Sequence, residues 1–520
     1  MNTDYTSETR SEQHTATAEP AKRDKLGPKR PRRSKGTMGR LDFFMLGFGS
    51  MVGVGWAVSS NHWLAQAGGP LPAFLGFLIG TLLLIPIGLS YGELMSAIPV
   101  GGGVMVYTYR AYGTGVSFIG SWFVALAYLT ILPWEAIYIN QILASIFPVL
   151  RSGTVLYEIA GSPIYLNSAL IGLVFTALLF YINYRGSKWA AKLQSVLSWV
   201  IIAAGIIVII MSAISGSWRN LFPLYRHVGV GGHTNMASGI LAMIVIVPFF
   251  MAGFDTIPQS VEESHPNVKF KNIARSMVLS IIFAGLFYAA IILSTASVLP
   301  WTEYAVYEAP AMAPMLAETY QGLLGRALYI MVMVGTLAGL FSTWNGMFMA
   351  AARLLQSMGK SGLLPAFFAK EHKRYKTPVG GSVFCLIAAG IGPFVGMGLI
   401  DPLTNLGSVA FVLGWLLTCL AALRLRKTEP NLARPFTPPG GKHMLRLAVL
   451  IAGVIVLLTF IPGQPAFMGT TGLILFAAWL IIGAIFYYFT NYGDRGMSEK
   501  ERHRKLFKHM PKRRKRRRAR

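Results

Sequence analysis

The sequence predicts an all-α integral membrane protein that crosses the bilayer with twelve helices, two of them interrupted. Of its 520 residues, 53% are hydrophobic and 13% are charged, whereas soluble domains carry about 25% charged residues. Twelve apolar stretches are long enough to cross a bilayer, which takes about 20 residues each. The first and the sixth of these stretches contain residues that break helices. This composition excludes a soluble domain.

The twelve predicted spans alternate across the membrane. They cover residues 41–67, 72–98, 115–148, 164–184, 189–215, 237–259, 273–299, 321–350, 378–398, 402–424, 444–463 and 469–491. If both basic tails lie inside, only Arg151, Arg219, Arg226 and Arg326 of the 47 Lys and Arg residues fall outside. Because positive residues concentrate in cytoplasmic loops, we expect a multi-pass cell-membrane protein with both termini in the cytoplasm.

Changes in composition divide the chain into five parts. Residues 1–40 are predicted to be a disordered, basic cytoplasmic tail, and residues 41–425 a core of ten helices. A Pro-rich cytoplasmic loop at 426–443 precedes two accessory helices within 444–491, and 492–520 form a second basic cytoplasmic tail. The two tails hold much of the net charge of +26.

The basic tails admit two interpretations. One is binding to nucleic acid, and the other, which we favour, is attraction of the tails to anionic lipid at the inner surface of the bilayer. Both cysteines, Cys385 and Cys419, fall in apolar runs and indicate no disulfide framework. The sequence has no metal-ligand cluster, nucleotide-binding motif or convincing catalytic triad, so we predict neither an enzyme nor a bound cofactor, metal or nucleotide.

The first span carries four glycines between Gly47 and Trp56. Each glycine costs roughly 1 kcal/mol relative to alanine inside a helix, so a continuous helix is disfavoured here. Unwound backbone is tolerated at membrane depth where it lines a cavity or is buried in protein. We therefore predict that helix 1 unwinds in the middle of the membrane and that its freed peptide groups hold a polar solute.

The sixth span has a matching interruption between Phe249 and Pro258, where Gly253, Asp255 and Pro258 stand in an otherwise apolar run. Two interrupted spans at matching positions are the best sequence indication of a transporter with inverted repeats. Here the repeats would be roughly 41–215 and 237–425. The alternative is two unrelated kinks in a helix bundle.

Several motifs between Leu41 and Leu425 share their order with one known family. They are Gly49-Ser50-Met51-Val52-Gly53-Val54-Gly55; Tyr91-Gly92-Glu93-Leu94 with Pro99, Gly101-Gly102-Gly103 and Tyr107; Gly253-Phe254-Asp255-Thr256 with Glu262-Glu263 and Pro266; and Asn345-Gly346, Arg353-Leu354-Leu355, Gly362-Leu363-Leu364-Pro365 and Thr377-Pro378. Together they resemble the amino acid–polyamine–organocation superfamily of permeases. The sixth-span motif is most similar to its cationic amino acid transporter branch.

The resemblance implies a leucine-transporter-like fold, with helices 1–5 and 6–10 as inverted repeats and the substrate between broken helices 1 and 6. It further implies that amides of Gly53, Val54 and Gly55 hold a substrate carboxylate. Half-helix N-termini favour anions in the same way. The remaining substrate-binding residues that we expect, by carbonyl or side chain, are Met51, Phe249, Phe250, Ala252, Gly253 and Phe254. Phe250 and Phe254 are also expected to act as aromatic gates.

The chain departs from the family at two places. Trp56 and Ala57 stand where many members have a smaller aliphatic and an aromatic residue, so the shape of the side-chain pocket stays open. Ile201 of the fifth span aligns with a lysine that, in some members, looks like a proton-responsive substitute for sodium. Coupling through such a lysine is therefore excluded.

Two ionisable residues inside spans are candidates for coupling or gating, because charges at membrane depth are costly and usually functional. Asp255 could sense a substrate amine, bind a proton or hold a gate; alternatively it caps the second half of helix 6. Glu135, in the apolar third span, could carry a proton or be a hydrogen-bonded structural residue.

Ser342 and Thr343 in the eighth span form a possible cation site. In sodium-coupled relatives of the fold, hydroxyls here join helix 1 carbonyls around a sodium ion. The alternative is ordinary helix packing, in which Ser and Thr are common.

We therefore predict a secondary transporter that moves an amino acid or related amine by alternating access, as gradient-driven symport or exchange. A polyamine or other organocation and a neutral amino acid both remain open as substrates. A transporter-like nutrient receptor without significant flux is the alternative from a different class. The coupling proton or sodium ion, the direction and the oligomeric state are not predicted.

Overall fold

The computed structural model describes residues 36–151, 154–159, 162–226, 235–308, 310–464, 466–491 and 497–507. Most of the two predicted basic tails, namely residues 1–35, 492–496 and 508–520, lies outside the described residues. The described chain is almost entirely helical.

The helices follow one another from the first span to the C-terminal segment. They are α1 Arg40–Met51, α2 Gly55–Val58, α3 Ser60–Ala67, α4 Pro70–Ala97, α5 Val104–Tyr112, α6 Thr114–Ile146, α7 Leu166–Arg185, α8 Ser187–Ser215, α9 Met236–Phe250, α10 Thr256–Gln259, α11 Phe270–Ala296, α12 Trp301–Tyr304, α13 Met312–Tyr320, α14 Gly322–Lys360, α15 Val379–Ile391, α16 Ile400–Thr428, α17 Lys442–Phe460, α18 Gly469–Asn491 and α19 Glu499–Leu506. A short antiparallel hairpin, β1 Val155–Ile159 and β2 Ser162–Tyr165, connects α6 to α7.

Ten segments in the described part of the chain are long and apolar enough to cross a membrane. They correspond to ten of the twelve predicted spans, and the chain is a multi-pass membrane protein. The sixth and ninth predicted spans contain shorter apolar helices, Met236–Phe250 and Val379–Phe394. The sixth is short because it is interrupted after Phe250.

Both interruptions expected from glycine and proline are present. The first span stops at Met51 and resumes at Gly55, and the sixth stops at Phe250 and resumes at Thr256. The two breaks touch, because a Cβ added at Gly253 would lie 2.7 Å from the Met51 nitrogen. Gly253 also has a φ of +139°, which L side chains rarely adopt. This position therefore requires glycine both for close approach and for its backbone conformation.

The interrupted helices lie at the centre of the bundle. Helix α1 packs against α8, α11 and α14, while α9 packs against α4 and α16. By contrast, α18 lies at the periphery of the bundle, and most of its residues are not buried. It is held to α6 by reciprocal bonds in which the indoles of Trp122 and Trp479 each donate to the other's carbonyl, at 2.9 and 3.0 Å.

The two ends of the bundle differ. We call the end formed by residues 36–39, 101–113, 260–269, 361–378 and 497–507 the tail face, and the end formed by residues 59–69, 147–151, 154–159, 162–165, 216–226, 300–308, 310–321 and 397–405 the vestibule face. On the tail face Met38 forms a bridge with Ser264. On the vestibule face Asn61 donates to the Tyr307 carbonyl at 2.7 Å.

A helical strap at the C-terminus covers part of the tail face. Residues 497–507, which include α19, were expected to be only a basic tail. Instead Arg502 is 3% exposed and donates to the Ser361 carbonyl at 2.7 Å and to the Thr114 hydroxyl at 2.6 Å. Glu499 accepts from Tyr109 at 2.8 Å. The strap therefore ties together loops that are far apart in the sequence.

Candidate functional site

A small cavity lies between the break in helix 1, the end of α9, and helices α6, α11 and α14. Its volume is about 20 Å³, close to the volume needed for one water molecule, about 10–15 Å³. Its lining residues are Ser50, Met51, Gly53, Val54, Gly55, Ile131, Trp134, Glu135, Phe249, Phe250, Tyr288 and Thr343. We call this space the inner cavity.

The structure brings most of the predicted site residues together here. Met51, Gly53, Val54, Gly55, Phe249, Phe250, Glu135 and Thr343 all line the inner cavity. Five others are not part of its lining, namely Ala252, Gly253, Phe254, Asp255 and Ser342. Four of these form part of the break of helix 6, and the fifth, Ser342, lies on α14 against the Gly49 carbonyl of helix 1.

Two polar atoms at the inner cavity are buried without a hydrogen-bond partner among the described residues. They are the hydroxyl oxygen of Ser50 and Oε2 of Glu135. Both residues are 1% exposed. Since buried polar groups in native proteins nearly always have partners, these two atoms are candidates for contact with a ligand or with water.

The backbone at the break is partly satisfied within the protein. The Met51 carbonyl accepts from the Tyr288 hydroxyl at 2.9 Å and from the Gly53 N–H at 3.1 Å. The Gly53 amide is therefore engaged in this conformation. Val54 and Gly55 begin the second half of helix 1, where the first N–H groups of a helix lack partners inside it.

Glu135 is the one carboxylate in the lining, and no Lys or Arg accompanies it among the described residues. Its Oε1 lies 3.4 Å from the position that a Cβ on Gly53 would take. The carboxyl group therefore stands directly beside the unwound stretch of helix 1. The site has an acidic and strongly aromatic character.

Phe250 separates the inner cavity from a larger one. The second cavity, which we call the vestibule, has a volume of about 400 Å³ and shares Trp134 and Phe250 with the inner cavity. The Phe250 ring packs edge-on against Trp63, with centroids 4.9 Å apart. The vestibule also contains His62, 3.6 Å from Asp401, and their side chains are 46% and 69% exposed. The vestibule is thus open to solvent at the vestibule face, and Phe250 closes its inner end.

On the tail-face side of the breaks, aromatic rings fill the bundle. Phe254 is fully buried between Tyr91 and Trp415, with ring centroids 5.6 and 4.9 Å away. Asp255 accepts a hydrogen bond from the Trp415 indole at 3.2 Å and makes no side-chain cap to α10. Asp255 is thus linked through Trp415 to this aromatic cluster, and its role in coupling or gating stays a prediction.

Ser342 and Thr343 lie against the last turn of α1. The Ser342 hydroxyl donates to the Gly49 carbonyl at 2.7 Å, and the Thr343 hydroxyl lies 3.4 Å from the Gly49 and Ser50 carbonyl oxygens. Both hydroxyls therefore face helix 1 carbonyls, and the cation site considered for them stays a prediction. Ile201 is fully buried in α8.

Four lining residues were not predicted: Ser50, Ile131, Trp134 and Tyr288. Ser50 and Trp134 adjoin predicted positions, Met51 and Glu135, and could have been found by extending those motifs. Nothing in the sequence distinguishes Ile131 and Tyr288 from the other residues of their apolar spans. Trp56, whose role was left open, is absent from the lining and packs against Phe287 with centroids 5.9 Å apart.

Comparison with known proteins identifies the family. A sequence model described as amino acid permease matches residues 38–487. The chain is 23% identical over 463 residues to the branched-chain amino acid permease BcaP of Bacillus subtilis (strain 168), covering 87% of this chain and 92% of that protein. It is 26% identical over 465 residues to the methylthioribose transporter of the same organism, with the same two coverages.

A plant relative is named for the transport of cationic amino acids. The cationic amino acid transporter 4, vacuolar, of Arabidopsis thaliana is 25% identical over 402 residues, covering 75% of this chain and 63% of that protein. These relatives are transporters rather than enzymes, and most of them act on amino acids by name. The chain belongs to the amino acid permease family of the amino acid–polyamine–organocation superfamily.

Proposed function

We propose that this chain is a secondary active transporter that moves an amino acid or a related amine across the cell membrane by alternating access. One observation carries the proposal: the inner cavity, between two interrupted helices, has two buried polar atoms, on Ser50 and Glu135, without a partner among the described residues. Interrupted helices that meet at a polar cavity in the membrane are the usual construction of a transporter site.

The proposed architecture has twelve crossings, arranged as two inverted five-helix repeats and two accessory helices. Ten long helices support it, together with the two shorter ones at the sixth and ninth spans. The distribution of Lys and Arg supports an orientation in which the tail face is cytoplasmic. The vestibule would then face outward.

In the proposed binding mode, the substrate carboxylate lies at the amides of Val54 and Gly55. Its ammonium group lies toward the carbonyls of Phe249 and Ala252 and the ring of Phe250, which would contribute a cation–π contact. A cavity of about 20 Å³ is too small for an amino acid. Phe250 must therefore rotate to admit substrate from the vestibule and then return, which occludes the site.

Glu135 is the proposed coupling group. A substrate carboxylate at these amides would lie close to the Glu135 carboxyl, whose Oε1 is 3.4 Å from a Cβ position on Gly53. Two carboxylates at such a distance do not both ionise readily. A zwitterionic substrate would therefore enter together with a proton on Glu135, whereas a dication or an amine without a carboxylate would pair with ionised Glu135.

The test is uptake by purified protein in proteoliposomes, against a panel of amino acids and amines, with proton and sodium gradients imposed separately. For a zwitterionic substrate we expect an inward proton gradient to stimulate uptake by wild type and not by Glu135→Gln. Glu303→Gln changes an exposed carboxylate at the vestibule face and is the matched control.

Three other outcomes would contradict parts of the proposal. Binding of substrate without uptake under any gradient would favour a receptor over a transporter. Preference for amines that lack a carboxylate would favour a polyamine or organocation carrier. Full proton stimulation in Glu135→Gln would exclude Glu135 as the coupling group.

A further inference from the structure

A cluster of basic and aromatic side chains lies where α7 ends at the tail face. Arg185, the last residue of α7, donates to the Tyr181 hydroxyl at 2.8 Å and to the Tyr375 hydroxyl at 3.4 Å. Its guanidinium carbon is 5.0 Å from the centre of the Tyr181 ring and 5.9 Å from the centre of the Tyr375 ring. The guanidinium carbon of Arg374 lies 5.6 Å from the centre of the same Tyr375 ring. One tyrosine ring therefore holds two guanidinium groups close together.

The loop that carries Tyr375 is held in place by several contacts. Within the loop, the His372 N–H donates to the Thr377 carbonyl at 2.9 Å. The His372 ring stacks on the Tyr375 ring, with centroids 4.6 Å apart and an angle of 19° between the planes. The Thr377 hydroxyl donates to the Tyr184 carbonyl of α7 at 2.9 Å. The position of Tyr375 beside the end of α7 is thus fixed both within the loop and by α7 itself.

The positive charges of this cluster are not balanced by the protein. We call the four exposed cations of α7 and the loop the basic patch; they are Arg185, Lys373, Arg374 and Lys376. In the described part of the chain, none of them forms an ion pair with a carboxylate. The adjacent carboxylate, Glu371, is paired with a lysine of α14 at 2.9 Å. Because like charges at short distance repel one another, an anion bound at the basic patch relieves this repulsion.

An apolar stripe on α7 runs from the basic patch into the membrane. The stripe consists of Leu170, Val174, Leu178 and Tyr181, whose side chains are between 47% and 64% exposed. Their spacing places them on one face of the helix, and Arg185 continues the same face one turn after Tyr181. Helix α7 is long and apolar enough to cross a membrane, and 28% of its residues are buried inside the protein. Arg185 therefore lies at the level of the lipid headgroups, while the stripe faces the acyl chains.

We propose that the basic patch binds the headgroup of an anionic phospholipid, with an acyl chain of the same lipid along the stripe on α7. The headgroup phosphate accepts hydrogen bonds from Arg185 and Arg374, because the planar guanidinium group matches the oxygens of a phosphate. Lys373 and Lys376 add positive charge beside it. Basic pockets at the ends of membrane helices on the cytoplasmic side bind headgroups of this kind.

This site differs from a general attraction of the basic tails to the bilayer. Attraction by surface charge depends on the number of cations and little on their arrangement, whereas the basic patch has its guanidinium groups fixed by aromatic rings. The bound lipid joins α7 to the loop between α14 and α15. Because it binds the folded protein, it also stabilises that state.

The first test measures the binding of dioleoylphosphatidylglycerol and dioleoylphosphatidylcholine to the purified full-length protein by native mass spectrometry. We expect the first phosphatidylglycerol to bind at least about tenfold more tightly than phosphatidylcholine, because its net charge is negative. Arg185→Gln should reduce this preference to less than about threefold. Arg446→Gln removes an exposed arginine near the start of another membrane helix, α17, and is the matched control. It should keep the wild-type preference.

The second test separates a shaped site from attraction by surface charge. Arg185→Lys keeps the charge but loses the planar guanidinium group, and Tyr375→Leu keeps all four charges but loses the ring between the two guanidinium groups. We expect each variant to bind phosphatidylglycerol at least about fivefold more weakly than wild type. Phosphatidylglycerol should also raise the melting temperature of wild type above its value in phosphatidylcholine, and both variants should lose most of this difference. Cooperative melting in phosphatidylcholine shows that each variant is folded.

Several results would overturn the proposal. They are equal affinity of wild type for the two lipids, an equal loss of preference in Arg446→Gln, or wild-type affinity for phosphatidylglycerol in folded Arg185→Lys and Tyr375→Leu. Inorganic phosphate at about 10 mM should not displace the lipid, since it buries no apolar surface; displacement would show that the basic patch binds a soluble phosphate instead. None of these measurements needs transport, so their outcome is independent of the uptake experiments.

Discussion

An ion pair on the tail face offers a sharp test of how the protein closes on that side. Arg353 of α14 and Glu263, which follows the second half of helix 6, have an N–O distance of 2.5 Å. Arg353 also donates to Ser260 at 2.6 Å. If helix 6 moves relative to α14 when the tail face opens, these bonds exist only in the closed state. Glu263→Gln should therefore favour opening.

The free energy by which this ion pair stabilises the closed state depends on how exposed its two side chains are. Hydrogen bonds to charged groups contribute about 1.5–3 kcal/mol. The two side chains are 15% and 30% exposed, so solvent screening places the value near the lower limit, about 1.5 kcal/mol. A difference of about 1.4 kcal/mol changes an equilibrium constant tenfold. The population of the tail-face-open state should thus rise about tenfold.

Labelling of one cysteine can measure this shift. Gln259 on α10 is 5% exposed, and Gln259→Cys would react with a maleimide only when the tail face opens. The chain has two cysteines, Cys385 and Cys419, so both are first replaced. We expect Glu263→Gln to raise the rate of labelling about tenfold at a maleimide concentration low enough that opening and closing are fast relative to the reaction, because the labelling rate then follows the open population.

A second ion pair supplies the control. Lys360 and Glu371 also lie on the tail face, 2.9 Å apart, but connect α14 only to the loop that follows it. Glu371→Gln should therefore leave the labelling rate within about twofold. An unchanged rate in folded Glu263→Gln, or an equal increase in Glu371→Gln, would show that the Arg353 pair does not control opening.

Two further predictions concern the site and the strap. Gly53→Leu should weaken substrate binding at least about tenfold in folded protein, measured by ligand-dependent melting, because its side chain would enter the inner cavity beside Glu135; unchanged affinity would place the substrate elsewhere. Burial opposes ionisation of Glu499, but hydrogen bonds from Thr114 and Tyr109 and the charge of Arg502 outweigh it and lower its pKa below the ordinary 4.5. Docking of α19 should therefore be constant between about pH 6 and 8 and weaken only below about pH 4.5, as followed by a spin label on α19; release of the label near neutral pH would contradict this.

The helix interruptions could be predicted because their causes are local. Gly53 and Gly253 disfavour helix in any context, so the sequence alone indicates where the backbone unwinds. Glu135 could be found in the same way, since a carboxyl group in an apolar span is costly wherever it faces.

The partners of these residues could not be predicted, because they depend on how the helices pack. Tyr288 lies on a uniformly apolar helix, and only the rotation of α11 brings its hydroxyl to Met51, 237 residues away. The bond between Trp415 and Asp255 spans 160 residues. The hydrogen bond from Gln194 of α8 to Ser342 of α14 spans 148 residues and likewise depends on how the helices pack.

The strap has a consequence for the order in which the protein matures. Glu499 bonds to Tyr109 across 390 residues, and Arg502 bonds to Thr114 across 388. During synthesis, Tyr109 and Thr114 therefore lack these hydrogen bonds until the segment that contains Glu499 and Arg502 has left the ribosome. A chain that terminates before residue 497 could insert all its membrane helices and still lack the contacts that join residues 109–114 to residues 497–507. Such a product would be distinguished by its tail face alone, which is where cellular proteases could recognise an unfinished molecule.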